Sequence, residues 1–96
     1  MMPNDSIRLD KWLWHARFFK TRARASALCE AGRIRVGGRL VAKAHYALRV
    51  GDVLTFPQGR RIRVVRVAAL SARRVAAPDA ATLYEDLSPD EAEQAA

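Results

Sequence analysis

The hydrophobic period of this chain changes once, at Gly32. Before that glycine, apolar residues recur at helical spacing; after it, they alternate with polar ones. A chain of 96 residues makes one small domain with one modest core. Helical and sheet halves must therefore bury their apolar sides against each other, which makes the expected class α+β.

The helical half reads in two pieces. At 100° per residue, Leu9, Trp12, Leu13, Ala16 and Phe19 fall within one arc about 120° wide, and Arg8, Asp10, Lys11, His15 and Arg17 lie outside it. A helix beginning near Ile7, with Asp5 or Ser6 as N-cap, should bury the first set and expose the second. The pattern stops at Lys20-Thr21. Thr is a good N-cap, and "TRARASALCEAG" carries Ala25, Leu28 and Cys29 at i, i+3, i+4, with Gly32 where a helix-ending glycine belongs. "LWHARFFKTRARA" is thus two helices meeting at a corner rather than one basic amphipathic helix.

In the sheet half, "RIRVGGRLV" alternates around Gly37-Gly38, a two-residue hairpin signal. A turn at Gly51-Asp52 precedes a strand from Val53 to Phe56. Pro57 to Gly59 turns again into "RRIRVVRVAAL", where Ile62 and Val64 alternate against Arg61, Arg63 and Arg66 and the slip at Val64-Val65 reads as a bulge. Pro78 fits N1 of a short helix carrying Leu83 and Leu87, and Ser88 to Glu91 has capping-box spacing. The expected architecture is two N-terminal helices packed on a small twisted antiparallel sheet, with a short C-terminal helix. Residues 1–6 read as a flexible lead-in, 7–77 as the domain, and 78–96 as C-terminal helix and acidic tail.

Charge narrows the partner. Seventeen Lys and Arg, fourteen of them Arg, face ten acids. All the cations lie between Met1 and Ala77 against Asp5, Asp10, Glu30 and Asp52, a net +13, whereas Pro78 to Ala96 holds six acids and no cation. A basic body fits nucleic acid, and Arg suits phosphate geometry. A GC-rich genome would raise Arg and Ala by itself, so the case must rest on placement.

Enzyme chemistry finds no constellation here. Cys29 is the only cysteine and lies on an apolar face; His15 reads as a solvent-side helical residue and His45 as a loop residue, so no disulfide, metal or cofactor is expected. Ser26 has no base beside it, and Asp10, Glu30 and Asp52 are scattered. No apolar run approaches the roughly 18 residues a bilayer span needs, and "MMPNDSIRLD" has no apolar signal core. A cytoplasmic protein without catalytic residues or a membrane partner is expected.

The binding signal sits at the corner. Lys20, Thr21 and Arg22 stand at the start of the second helix, where two cations oppose the helix dipole and a bound anion would relieve the conflict. On the first helix Trp14 and Phe18 form an i, i+4 pair beside Lys11 and Arg17. Such rings either stack on exposed bases or, for Trp14, pack under the C-terminal segment. Arg33, Arg35 and Arg39 occupy the solvent side of a strand.

The run "RLDKWLWHARFFKTRARASALCEAGRIRVGG", continued by "KAHYALRVGDVLTF", resembles the small RNA-binding domain named after ribosomal small-subunit protein S-four. With "ARR…A…LYED" downstream it looks most like the family's ribosome-associated heat-shock branch of the fifteen-kilodalton class. The resemblance spans Ile7 to Asp86. It implies non-catalytic binding of structured, ribosomal RNA, on the large subunit when a stalled nascent chain remains attached. The implied RNA contacts are Arg8, Lys11, Arg17, Lys20, Thr21, Arg22 and Lys43, with Trp14, Phe18, Arg24 and Arg39 secondary, and Asp10 orienting the basic groups. Two features depart from the family pattern. Gly37-Gly38 replaces its Asn-Gly turn, and an acidic tail stands where its heat-shock members carry a basic extension. The alternatives are DNA binding through the second helix, a membrane-surface helix, and an RNA-binding accessory of an rRNA-modifying enzyme. A monomer is expected.

Overall fold

The first helix begins at Leu9, where the apolar stripe starts, and two residues later than the N-cap signals predict. The computed structural model describes residues 5–88; Glu91 of the Ser88–Glu91 capping box and the acidic tail from residue 89 on lie outside that range, as do the first four residues. Ile7–Arg8 form a short strand, β1, paired antiparallel with β4 (Ala47–Leu48). Helix α1 therefore runs only from Leu9 to His15. Neither Asp5 nor Ser6 caps it. Carbonyls of the chain before β4 accept the first free N–H groups, Leu9 N to Tyr46 O at 2.9 Å and Asp10 N to Ala44 O at 3.1 Å. A helix start packed against a loop is satisfied by that loop.

The same helix stops a turn early. Ala16 is its C-cap, Arg17 adopts φ 64°, and the N–H groups of Arg17 and Phe18 bond back to Trp14 O at 3.0 Å and Leu13 O at 3.1 Å. This is a Schellman closure with arginine at the left-handed position glycine usually takes. The reversal turns Phe18 inward and leaves Phe19 half-buried, contrary to the periodic expectation. The Phe18 ring lies 5.9 Å from Trp12, 5.2 Å from Phe56 and 4.7 Å from Tyr84.

Helix α2 (Arg22–Glu30) follows its sequence signals. Thr21 is the N-cap, its Oγ1 accepting from Arg24 N at 3.1 Å, and Ala31 precedes Gly32 at φ 70°. Ala25 and Cys29 are fully buried, and burial pushes the Cys29 thiol up to about 12.

Strands β2 (Ile34–Val36), β3 (Arg39–Val41), β5 (Val53–Gln58), β6 (Arg61–Val67) and β7 (Tyr84–Asp86) form one antiparallel sheet in the order β3-β2-β5-β6-β7. Gly37 and Gly38, at φ 60° and 80°, close the β2–β3 hairpin with Val36 opposite Arg39, as the sequence predicts. The helices and the sheet share one core of Leu9, Trp12, Leu13, Cys29, Ile34, Leu54, Phe56, Val65 and Val67.

Three strand readings are corrected. Pro57 and Gln58 continue β5 instead of turning; β2 pairs only with Leu54 and Thr55, so the edge beside Pro57 is open and no ladder bond is lost. No bulge interrupts β6, whose six pairs with β5 run unbroken from Val53↔Arg66 to Gln58↔Arg61. With Val65 and Val67 inward, the two-residue period places Arg61 and Arg63 on the core side and exposes Ile62. Arg63 is tolerated there because its guanidinium lies 5.2 Å over the Phe18 ring and donates to Gln58 Oε1 and Asp86 Oδ2, both at 3.1 Å.

The C-terminal helix is a 3-10 helix, Ala77–Leu83, with proline in its first turn. Leu83 enters the core, but the chain then extends as β7 along β6, so Leu87 is exposed and off the helix. No helix among the described residues is long and apolar enough to cross a membrane.

Candidate nucleic-acid interface

One buried carboxylate organises the two helices. Asp10, expected on the solvent side, is 1% exposed. Its oxygens accept Arg8 Nε and Arg8 Nη2, both at 3.0 Å, the Ser26 hydroxyl at 2.6 Å and Lys11 N at 2.8 Å, and lie 3.6 Å from Arg22 Nε. Burial raises the carboxyl, but the bonds from Arg8 and Ser26 and the nearby Arg8 charge outweigh it and hold Asp10 below its ordinary value. Its geometry fits the orienting role. Asp10 is anchored by α2 through Ser26, and the guanidinium groups of Arg8 and Arg22 converge on it while their side chains stay 47% and 41% exposed.

Lys43 is exposed in the loop whose Ala44 carbonyl caps Asp10 N, which brings its backbone beside the start of α1. Lys11 is half-buried on the same turn. Lys20, Thr21 and Arg24 surround the start of α2, exposed, with the Thr21 oxygen used as cap. With Thr21 capping, the N–H groups of Arg22 and Ala23 have no intrahelical partner. Arg8, Lys11, Lys20, Thr21, Arg22, Arg24 and Lys43 thus cluster about the two helix starts.

Four residues lie elsewhere. Arg17 donates through Nε to Val75 O at 2.6 Å, on the far end of α1. Arg39 is exposed on β3, the edge strand of the sheet. Phe18, read as a polar-side partner of Trp14, is 7% exposed and packed in the core, so no stacking face is open. Trp14 is half-buried beneath the Arg74 guanidinium at 5.2 Å, and Arg74 Nε bonds the Trp14 carbonyl at 3.1 Å. Packing under the chain after β6 is the arrangement observed. His15 is likewise inside, 2% exposed, with Nδ1 2.9 Å from Ser71 O; burial, foremost, lowers its pKa.

By sequence, Arg33 is one more ordinary strand charge. In the fold it lines an open groove of about 640 Å³ together with Lys20, Arg24, Phe19, Leu28 and Pro57. Its position right after Gly32 was the one local signal, but only the fold brings β5 opposite α2.

The S4 domain model matches residues 7–54. The chain is 40% identical over 85 residues to Heat shock protein 15 homolog of Haemophilus influenzae, covering 88% of this chain and 64% of that one. It is 39% identical over 79 residues to RQC P-site tRNA stabilizing factor of Halalkalibacterium halodurans, covering 82% and 88% respectively. The solved structure of Heat Shock Protein 15 from Vibrio cholerae, described as trimeric, superposes with a TM-score of 0.80 at 36% identity, over 85% of this chain and 82% of that one. The chain thus spans less than two thirds of the Haemophilus relative. Domain match, sequence and fold agree, and the chain belongs to the S4 domain family.

Proposed function

We propose that this chain is a non-catalytic RNA-binding protein that recognises structured, ribosomal RNA through the starts of its two helices. The observation carrying the reading is the Asp10 node, which holds Arg8, just before α1, and Arg22, at the start of α2, on one carboxylate while leaving both groups open to phosphate. Rigid guanidinium pairs spend little side-chain entropy on binding. Against a helix reading a DNA groove, two of the four exposed positions of α2 are alanine, Ala23 and Ala27, which leaves only Arg24 and Glu30 as exposed base-reading side chains.

The finer reading is action on the large ribosomal subunit while a stalled nascent chain is still attached through tRNA. A relative named as a P-site tRNA stabilizing factor supports it. The experiment is titration of a large-subunit rRNA fragment at two salt concentrations, with duplex DNA as competitor. Lys20→Ala with Arg22→Ala should weaken RNA binding and flatten the salt slope by about one unit for each phosphate no longer neutralised. Unchanged affinity and slope would remove the corner from the interface, and equal competition by duplex DNA would favour a general polyanion binder.

A further inference from the structure

The groove between α2 and the β5–β6 hairpin differs in kind from the helix-start corner. Its floor is apolar: Phe19, Leu28 and Pro57 are each only half-buried, although Phe19 also touches Phe56 at 6.1 Å between ring centres. Its rim is cationic: Lys20, Arg24 and Arg33 line it, and no acid does. The polar side chain at its β5 end is already committed, since Gln58 Nε2 donates to Phe18 O at 2.6 Å and Gln58 Oε1 accepts from Arg63.

A cleft with an apolar floor and cations on its rim complements a ligand with a flat, weakly hydrated body carried on an anionic strand. The intact outside of an RNA duplex offers phosphates and ribose but no free ring face. An unpaired nucleotide offers both, its base for the floor and its flanking phosphates for the rim. Lys20 and Arg24 also belong to the α2 start, Arg24 N being the group that Thr21 caps. A strand whose phosphates cross that corner is therefore led directly into the groove, toward Arg33.

We propose that this groove is a subsite for one unpaired nucleotide of the bound RNA, its base lying on Phe19, Leu28 and Pro57 and its phosphates between Lys20, Arg24 and Arg33. The proposal rests on the RNA-binding reading and sharpens it to structured RNA with a bulged or looped-out base beside a helix.

The test uses a synthetic RNA hairpin with a single bulged 2-aminopurine and the same hairpin with that residue paired, both titrated against the full chain. The bulged hairpin should bind at least about fivefold more tightly, with a change in 2-aminopurine fluorescence that the paired hairpin lacks. Ala27→Leu, which fills the exposed helix side of the groove without altering charge, should abolish that preference and leave paired-hairpin affinity and salt slope as they were. Arg33→Ala should lower the salt slope for the bulged hairpin alone. Equal affinity of the native chain for both hairpins overturns the subsite while leaving the RNA-binding reading intact. Failure to bind either hairpin or the rRNA fragment overturns both. An oligoglutamate peptide whose binding is lost in Ala27→Leu, while bulged RNA still binds, assigns the groove to acidic peptide and overturns the proposal.

Discussion

Replacing Asp10 with Asn tests whether that carboxylate builds the interface or merely sits behind it. The side chain keeps its size, and its oxygen can still accept one bond, but the charge is lost. Hydrogen bonds to an ionised group contribute about 1.5–3 kcal/mol against about 1 for neutral pairs. The Ser26 and Lys11 N bonds to Asp10 each lose the difference, about 0.5–2 kcal/mol apiece. The Arg8 end of the pair is open to water, is screened there and adds little. The total is about 2 kcal/mol, a large share of the 5–15 kcal/mol typical of a domain. Urea unfolding should show a lower midpoint at constant slope, and the melting temperature should fall by roughly 8–15 °C. The binding outcome is the sharper one. Removing a negative charge beside a phosphate site should tighten RNA binding if net charge governs, whereas loosening Arg8 and Arg22 should weaken it. Weaker binding is expected. Tighter binding with stability within about 0.5 kcal/mol of the native chain would refute the node. A pH series adds a control. Because the folded-state pKa of Asp10 is depressed, its contribution is present above the ordinary value of 3.8 and is lost as pH falls through the lower folded value, so native chain and Asp10→Asn should converge in stability under strong acid.

The remaining expectations concern groups around the first helix. Arg17→Gly should be more stable than Arg17→Ala by about 1 kcal/mol, since both lose the Val75 carbonyl bond but only alanine keeps the left-handed strain; equal urea midpoints would contradict it. His15 is buried with a lowered pKa, so the unfolded chain binds its proton first, and stability should decline as pH drops below 6.5; unfolding at pH 7.5 and 5 should show this slope in the native chain and not in His15→Gln. Phe18→Leu should cost about 1–1.5 kcal/mol in unfolding experiments and leave the RNA affinity of the folded protein unchanged, whereas a base-stacking Phe18 would lose affinity as well.

Much of the proposed interface was legible in the sequence because it follows from local chemistry. Lys20, Thr21 and Arg22 stand out since two cations at a helix start conflict with the dipole, and that conflict is visible in the sequence. Arg33 and the groove were not legible, because a rim residue is recognised only once β5 faces α2. Arg61 and Arg63 read as solvent-side charges for a similar reason. Their inward face follows the register of Val65 and Val67 on the same strand, and Arg63 is held there by Phe18, Gln58 and Asp86, which are remote in sequence or on another strand.

By itself, the sequence determined two helices, their break before Thr21, the Gly32 ending and the Gly37-Gly38 hairpin, because caps, left-handed glycines and turn residues act over three or four positions. Tertiary structure alone decided that Asp10 and His15 lie inside, that Phe18 and not Phe19 enters the core, and that the chain after Leu83 returns as a strand along β6. Each of those depends on a partner more than ten residues away: Ser26 for Asp10, Ser71 for His15, Phe56 for Phe18, Val65 for Asp86. Periodicity shows that a face must be covered, and only packing selects what covers it.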